Sequence, residues 1–86
     1  MKFKFSNHAL EEMGRRGIDP AMAQAVLDHP QQIVVEREGK KSYQSQLDFG
    51  TGKIFLLRII VNDDLDPAVV VTLYRTANIL KHWRQT

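Results

Sequence analysis

The spacing of apolar residues changes along the chain, from a helical period near the start to an alternating period further on. Residues 6–17 are typical of a short helix, with Ser6 or Asn7 as its cap and Gly17 as its stop. On a wheel drawn at about 100° per residue, one side of this helix is apolar and is expected to face a core. That side carries Ala9, Leu10 and Met13.

A second helix is predicted over residues 20–28, because Asp19 is a good cap and Pro20 suits the first turn. Further along, the period is two, which predicts strands at residues 33–38, 42–49, 54–61 and 68–76. A short edge strand is also expected at residues 2–5. Residues 77–84 either form a closing helical turn or trail over the surface.

This order of elements predicts an α+β fold. Two N-terminal helices are expected to pack on one antiparallel sheet of about four strands. Residues 54–61 form the most apolar strand, so we expect them inside the sheet and not at its edge. The chain has 86 residues and no evident linker, so residues 1–86 are expected to form a single domain.

The amino-acid composition excludes several kinds of protein and of metal site. There is no cysteine, which excludes a disulfide framework and a thiolate zinc site, and the three histidines lack the close spacing of helical metal sites. We therefore expect no metal and no cofactor. No signal peptide or membrane-spanning stretch is evident, which favours a cytoplasmic protein with no membrane association. The net charge of +2 is compatible with an anionic partner.

Candidate chemistry lies on the polar side of the first helix. His8, Glu12 and Arg16 are spaced four residues apart, and Arg15 adds a second guanidinium. An imidazole that is free to take a proton, a carboxylate and two cations are sufficient for acid–base chemistry on a phosphodiester. The alternative is that His8 closes the helix end and that the arginines form a solvated helix terminus.

The predicted strands add a second set of polar residues. Arg58 interrupts the apolar strand at residues 54–61, where a charge is costly unless it is paired or reaches water. An ion pair with Asp48 or Glu36 is the alternative to a functional role. Thr72 and Tyr74 share one face of the last strand and Arg75 lies on the other, although strand propensity alone accounts for Thr72 and Tyr74.

These motifs resemble a known family of short bacterial domains, the domain-of-unknown-function 4258 family. The opening stretch that carries the resemblance is Phe5-Ser6-x-His8-Ala9-Leu10-Glu11-x-Met13-x-x-Arg16-Gly17-Ile18. Later parts of the pattern are Glu38-Gly39-Lys40-Lys41, Tyr43, Arg58, Val71-Thr72-Leu73-Tyr74-Arg75-Thr76 and Trp83. The resemblance extends over nearly the whole chain.

The family's layout is similar to RelE-, barnase- and colicin-type ribonuclease toxin domains. This resemblance implies a metal-independent endoribonuclease, in which the RNA 2′-hydroxyl attacks its own phosphate. The implied catalytic residues are His8 as acid or base, Glu12, Arg16, Thr72 and Tyr74. The implied substrate-binding residues are Arg15, Lys40, Lys41, Arg58 and Arg75.

One position departs from the family pattern, which usually has arginine four residues after the histidine. This chain has Glu12 there, and a carboxylate repels a phosphate unless it acts as the general base. Arg15 then supplies the missing cation. The implied partners are RNA, free or on the ribosome, and a neutralising antitoxin or immunity protein. The alternatives are a non-catalytic protein- or RNA-binding module that uses the open sheet face, and a structural protein that dimerises through a sheet edge.

Overall fold

The structure is a computed structural model, and it describes residues 2–85. The elements in chain order are β1 (Phe3–Phe5), α1 (Asn7–Arg15), α2 (Pro20–Asp28), β2 (Gln32–Val35), β3 (Lys41–Asp48), β4 (Ile54–Asn62), β5 (Ala68–Thr76) and α3 (Ile79–His82). The strands form one sheet in the order β1-β5-β4-β3-β2. No helix within residues 2–85 is long and apolar enough to cross a membrane.

The predicted fold class, with two N-terminal helices on an antiparallel sheet of about four strands, is wrong. Within the described residues the sheet has five strands and is mixed, because β1 pairs with β5 in parallel while the other pairs are antiparallel. The helices α1 and α2 follow β1, and α3 follows β5, so helices and strands are interleaved. A three-residue alternating run indicates a strand but does not reveal its partner, which is why the parallel pair was missed.

Local signals explain where the first two helices begin and end. Ser6 is the cap of α1, since its Oγ accepts from the amide of Ala9 at 3.0 Å and donates to the carbonyl of Val71 at 2.9 Å. Gly17 follows α1 with a φ of 63°, in the left-handed region that glycine adopts without a Cβ clash. Asp19 caps α2 by accepting from the amide of Ala21 at 2.7 Å. The caps thus tie α1 to β5 and turn the chain into α2.

The sheet has two faces that carry different chemistry. The face under α1 and α2, which we call the helix face, is apolar and forms the main core. Its strand residues include Tyr43, Leu57, Ile59, Val61, Val70 and Leu73. The opposite face lies under α3 and the residues after it, and we call it the α3 face. It carries the alternate residues, among them Ser42, Gln44, Arg58 and Tyr74.

Strand β4 lies between β3 and β5, which confirms that the most apolar strand is internal. The pairing of β4 with β5 shifts register between Ile60 and Val61. This bulge explains why Val70 and Leu73, three residues apart, both face the core. It also sets Thr72 and Tyr74 on the α3 face.

The buried side of α1 differs from the prediction at one position. Leu10, expected in the core, is 50% exposed, whereas Glu12 is only 9% exposed. Around the helix axis Glu12 lies about 60° from Ala9 and Leu10 about 100° from it, so the buried arc reaches Glu12 first. The carboxylate of Glu12 therefore lies at the margin of the core, where it needs a cation or hydrogen-bond donors to compensate its charge.

Replacing Leu57 by alanine tests the importance of the helix face. Leu57 is fully buried on the central strand, so the change removes apolar contacts and leaves a cavity. We expect the free energy of unfolding, measured by urea denaturation, to fall by about 2–5 kcal/mol. Leu80→Ala is the matched control, because Leu80 is 80% exposed, and it should change stability by less than about 0.5 kcal/mol. Equal losses in the two variants would contradict this assignment of the core.

Candidate functional site

The first group of charged side chains lies on α1 and surrounds Glu12. Arg15 donates two hydrogen bonds to this carboxylate, from Nε to Oε2 at 2.8 Å and from Nη2 to Oε1 at 2.9 Å. Arg16 Nη2 lies 3.7 Å from Oε1, and His8 Nε2 lies 3.9 Å from the same oxygen. We call these four residues the α1 cluster. The structure thus brings together the predicted site residues that come from the first helix.

Glu12 is engaged by its neighbours and is poorly suited to accept a proton. The hydrogen bonds from Arg15 lower the pKa of Glu12 most, burial opposes them, and the charges of Arg15, Arg16 and His8 lower the pKa further. A carboxyl group with a lowered pKa stays ionised and is a weaker base. A cleft of about 240 Å³ lies here, lined by His8, Glu11, Glu12 and Arg15. In this cluster Glu12 holds the arginines in place.

The second group centres on Arg58, which lies on the α3 face and is 4% exposed. Its Nε donates to Gln44 Oε1 at 3.0 Å, Nη1 donates to the Tyr74 hydroxyl at 2.7 Å, and Nη2 donates to Glu36 Oε1 at 2.9 Å. Of the two ion-pair partners expected for Arg58, Glu36 is confirmed. Asp48 instead accepts from the backbone of its own turn. Two acceptors on the neighbouring strands and a third just after β2 therefore fix one guanidinium.

An open cleft of about 390 Å³ lies above this network, between the sheet and the end of the chain. It is lined by Val34, Glu36, Arg58, Lys81, His82, Trp83 and Arg84. The ring of His82 contacts that of Tyr74 edge to face, with the ring centroids 6.2 Å apart. We call this concavity the α3 cleft. It combines cations, a carboxylate, an imidazole and an indole in one place.

The imidazole of His82 is shifted toward its neutral form. Burial lowers the pKa of His82 most, the positive charges of Arg58 and Lys81 lower it further, and Glu36 acts in the opposite direction. A lowered pKa makes the imidazole a weaker base, but it keeps the ring neutral, with a free nitrogen that can accept a proton from a reacting group. The α3 cleft therefore places a proton acceptor beside a fixed cation.

The structure divides the predicted catalytic residues between the two groups. His8, Glu12 and Arg16 lie on α1, which packs on the helix face, whereas Thr72 and Tyr74 point to the α3 face. The two clefts share no lining residue. The resemblance to ribonuclease toxin domains predicts that His8, Arg16 and Thr72 or Tyr74 converge on one concave surface. This prediction is wrong, because the sheet lies between them.

The predicted substrate-binding cations are also dispersed. Arg15 belongs to the α1 cluster and Arg58 to the floor of the α3 cleft, as described above. In the turn before β3, Lys40 Nζ lies 3.4 Å from Glu38 Oε2. Lys41 Nζ donates to both carboxylate oxygens of Asp63, at 3.0 Å each. Arg75 packs over the rings of Phe49 and Phe55, with its guanidinium carbon 4.6 and 5.1 Å from their centroids. These last three cations belong to neither cleft.

Sequence reasoning missed His82, Trp83 and Gln44. The chain folds back over the sheet after β5, and this return brings His82 and Trp83 to Arg58. We call residues 79–85, which comprise α3 and the residues after it, the tail. Residues of the tail are far in sequence from those of β3 and β4, so no sequence pattern reveals the contact between them. Gln44 occurs in an alternating strand and looks like an ordinary exposed position, yet it is fully buried.

The α3 cleft and the hydrogen-bond network beneath it, to which Tyr74 belongs, together have the groups that acid–base chemistry on a phosphodiester requires. His82 can accept a proton, and the Tyr74 hydroxyl, which accepts from Arg58, keeps its own proton for donation. Lys81 and Arg84 line the rim and supply positive charge. Among residues 2–85 no group of three or more His, Cys, Asp or Glu side chains is placed to hold a metal ion.

A protein-family model matches most of the chain. The model of the family described as Domain of unknown function (DUF4258) matches residues 5–75 of the chain. No curated protein and no solved structure matches it. The matched residues include the α1 cluster, Arg58 and Tyr74, whereas His82 and Trp83 come after them. The α3 cleft is thus built partly from matched residues and partly from the segment that follows.

Replacing Glu12 by glutamine tests the α1 cluster. The pKa of Glu12 is lower in the folded chain than its ordinary value of 4.5, so its stabilising effect is present above that value. The effect is lost as the pH falls through the lower, folded pKa. We therefore expect Glu12→Gln to unfold at lower urea than the wild type near neutral pH, and the difference to shrink in acid.

The matched control for this change is Glu11→Gln, because Glu11 lines the same cleft but makes no ion pair among the described residues. It should leave the urea midpoint nearly unchanged at both pH values. A Glu12→Gln difference that persists or grows in acid would show that its ion pairs with Arg15 and Arg16 are not the cause.

Proposed function

The chain belongs to the DUF4258 family, and we propose that it is a small metal-independent ribonuclease domain that binds and cleaves single-stranded RNA in the α3 cleft. One observation carries the proposal. The buried guanidinium of Arg58 is fixed by three acceptors, and the tyrosine among them lies against a histidine whose pKa is lowered. The similarity of the sequence motifs to ribonuclease toxin domains supports the same reaction class, as an analogy.

The charge and shape of the cleft suit an RNA strand. Arg58 is compensated by Glu36, which leaves the charges of Lys81 and Arg84 at the rim for phosphate groups. Trp83 lines the same cleft, and an indole is a good surface for stacking a nucleobase. Bases are available for stacking only where they are unpaired, which favours single-stranded RNA over a duplex.

The proposed reaction needs no group from outside the chain and the substrate. Neutral His82 removes the proton of the 2′-hydroxyl, whose oxygen forms a new bond to the adjacent phosphorus. The bond from phosphorus to the 5′-oxygen breaks, and the Tyr74 hydroxyl gives its proton to that leaving oxygen. The products are a 2′,3′-cyclic phosphate and a 5′-hydroxyl. A return of the proton from His82 to Tyr74 through water restores the site.

Arg58 acts in this proposal through its charge and its fixed position. Its Nη1 donates to the Tyr74 oxygen at 2.7 Å, so the cation stabilises the phenolate that forms when Tyr74 loses its proton. The guanidinium is nearly inaccessible to solvent, so its charge is screened less by water and salt than the exposed charges of Lys81 and Arg84. A preorganised cation of this kind stabilises developing negative charge without having to rearrange during the reaction.

The first test measures RNA cleavage by the purified chain in excess EDTA. Because every proposed group is a side chain, we expect cleavage to continue and to leave a 2′,3′-cyclic phosphate end. His82→Ala should lower the rate by about 10²–10⁴, the usual contribution of a positioned acid or base. His29→Ala is the matched control, since His29 ends α2 and lines neither the α3 cleft nor the cleft on α1.

A second comparison decides between the two groups of residues. If His8→Ala abolishes cleavage while His82→Ala does not, the reaction belongs to the α1 cluster and the α3 cleft is not the active site. A different result would contradict the ribonuclease proposal altogether. If the wild type binds single-stranded RNA but cleaves neither free RNA nor the RNA of ribosomes, the chain is a binding module.

The proposal extends to the cell: the chain acts as a toxin, and a partner protein neutralises it. Cleavage of cellular RNA stops growth, and a cell that makes such an enzyme requires a partner that blocks it. We expect expression of the wild type in bacteria to inhibit growth, measured as colony counts after induction. His82→Ala should relieve the inhibition at equal protein levels, and equal toxicity of the two proteins would contradict a link to the α3 cleft.

A further inference from the structure

We propose that Gln44 is a positioning residue of the α3 cleft, which holds the segment from His82 to Arg84 against the sheet while it orients Arg58. This inference rests on the proposed function for its catalytic meaning. Gln44 is fully buried on β3, in the middle of the α3 face. Its side chain makes hydrogen bonds both to the Arg58 guanidinium and to the backbone of α3.

The hydrogen bonds fix which end of the Gln44 amide points where. Oε1 accepts from Arg58 Nε at 3.0 Å and from the Ser42 hydroxyl at 3.0 Å. Nε2 donates to the carbonyl of His82 at 3.2 Å and to Gln32 Oε1 at 3.0 Å. The oxygen therefore faces donors and the nitrogen faces acceptors. A flipped amide would leave Arg58, His82 and Gln32 unmatched, whereas the Ser42 hydroxyl can donate or accept.

Gln32 extends this contact along the tail. Its Nε2 donates to the carbonyl of Arg84 at 2.6 Å, and its Oε1 accepts from the Arg84 amide at 3.1 Å. Gln32 thus pairs with one residue of the tail in the way that a neighbouring strand would. Together Gln44 and Gln32 form a clamp, which we call the glutamine clamp, on the backbone on both sides of Trp83.

The α3 segment has little else to hold it in place. The helix is four residues long, buries none of its residues, and Asn78 makes no side-chain cap. A helix this short is not stable by itself, because few of its backbone groups are paired within it. Its position therefore depends on contacts with the sheet, and the glutamine clamp supplies directional ones. The clamp sets where His82 lies relative to Tyr74 and Arg58.

Position 44 needs a glutamine, because one end of the side chain must accept from Arg58 and the other end must donate to the carbonyl of His82. Replacing Gln44 by glutamate keeps the size and the acceptor for Arg58, but it presents a carboxylate oxygen to the carbonyls that Nε2 now serves. The tail would then be repelled while the sheet retains its packing. Gln46→Glu is the matched control, on the same strand and face, since the hydrogen bonds of Gln46 come from its backbone.

Fluorescence of Trp83 reports directly on the clamp, because it is the single tryptophan of the chain. Gln44→Glu should shift the Trp83 emission to longer wavelength, as the indole moves into water, while circular dichroism shows an intact sheet. Gln46→Glu should leave the emission as in the wild type. A folded Gln44→Glu protein with wild-type emission would overturn the inference.

The titration of His82, followed by NMR, gives a second readout. Burial is the main cause of its lowered pKa, so release of the tail should raise that pKa toward its ordinary value. The negative charge that Gln44→Glu adds also raises the pKa of His82. Gln32→Leu separates release of the tail from this added charge, because the leucine loosens the tail and carries no charge. Both variants should raise the pKa of His82, and a rise in Gln44→Glu alone would overturn the positional role.

Cleavage assays connect the clamp to the proposed reaction. Misplacement of a base by about 1 Å can lower a rate by about 10²-fold, so we expect a loss of this order in kcat for Gln44→Glu. The acidic limb of the pH profile should move to higher pH, following the raised pKa of His82. If the wild type does not cleave RNA, the proposed function fails, and fluorescence and NMR still decide whether Gln44 positions the tail. If Gln44→Glu does not fold, Gln32→Leu gives the same readouts.

Discussion

The burial of one positive charge organises the half of the molecule that carries the candidate site. Arg58 lies on the central strand, where an unpaired guanidinium would lose several kcal/mol of hydration. Each neighbouring strand supplies one acceptor, Tyr74 on β5 and Gln44 on β3, and Glu36 supplies the third from the residue after β2. The ion pair alone compensates the charge, but the neutral acceptors decide the orientation of the guanidinium. Replacement of any one of them would leave a buried donor without a partner.

This requirement explains why the two faces of the sheet differ so strongly. The helix face is apolar and is covered by α1 and α2, which leaves it no room for a polar site. The α3 face carries the paired charge and cannot be covered by a second apolar layer, because its acceptors must remain matched. A short segment whose backbone is hydrogen-bonded to the side chains of Gln32 and Gln44 is a cover that suits such a face. The cleft forms where this narrow cover leaves the network partly open.

Much of the local structure could be predicted from the sequence, and the long-range part could not. The capping residues, the two helices and the internal strand follow from periodicity and turn chemistry. The cost of a buried charge predicts an ion pair for Arg58 with Asp48 or Glu36, and only the structure shows that the partner is Glu36. The parallel pairing of β1 with β5 and the return of α3 over the sheet depend on contacts between distant segments. Such contacts leave no local pattern. For this reason His82 was overlooked, and Thr72 and Tyr74 were grouped with His8 although the sheet lies between them.

The α1 cluster has a structural explanation that is independent of catalysis. Glu12 lies within the buried arc of the helix, so its carboxylate needs cations close by, and Arg15 and Arg16 are the nearest. The spacing that first indicated an acid–base site is therefore also the spacing that pairs a half-buried carboxylate along a helix. The buried network under the α3 cleft has a comparable structural explanation, but the charges at the rim of the cleft do not. Glu36 already neutralises Arg58, yet Lys81 and Arg84 are added at the rim beside a histidine with a lowered pKa. Charge in excess of what the fold requires is the reason to place function there.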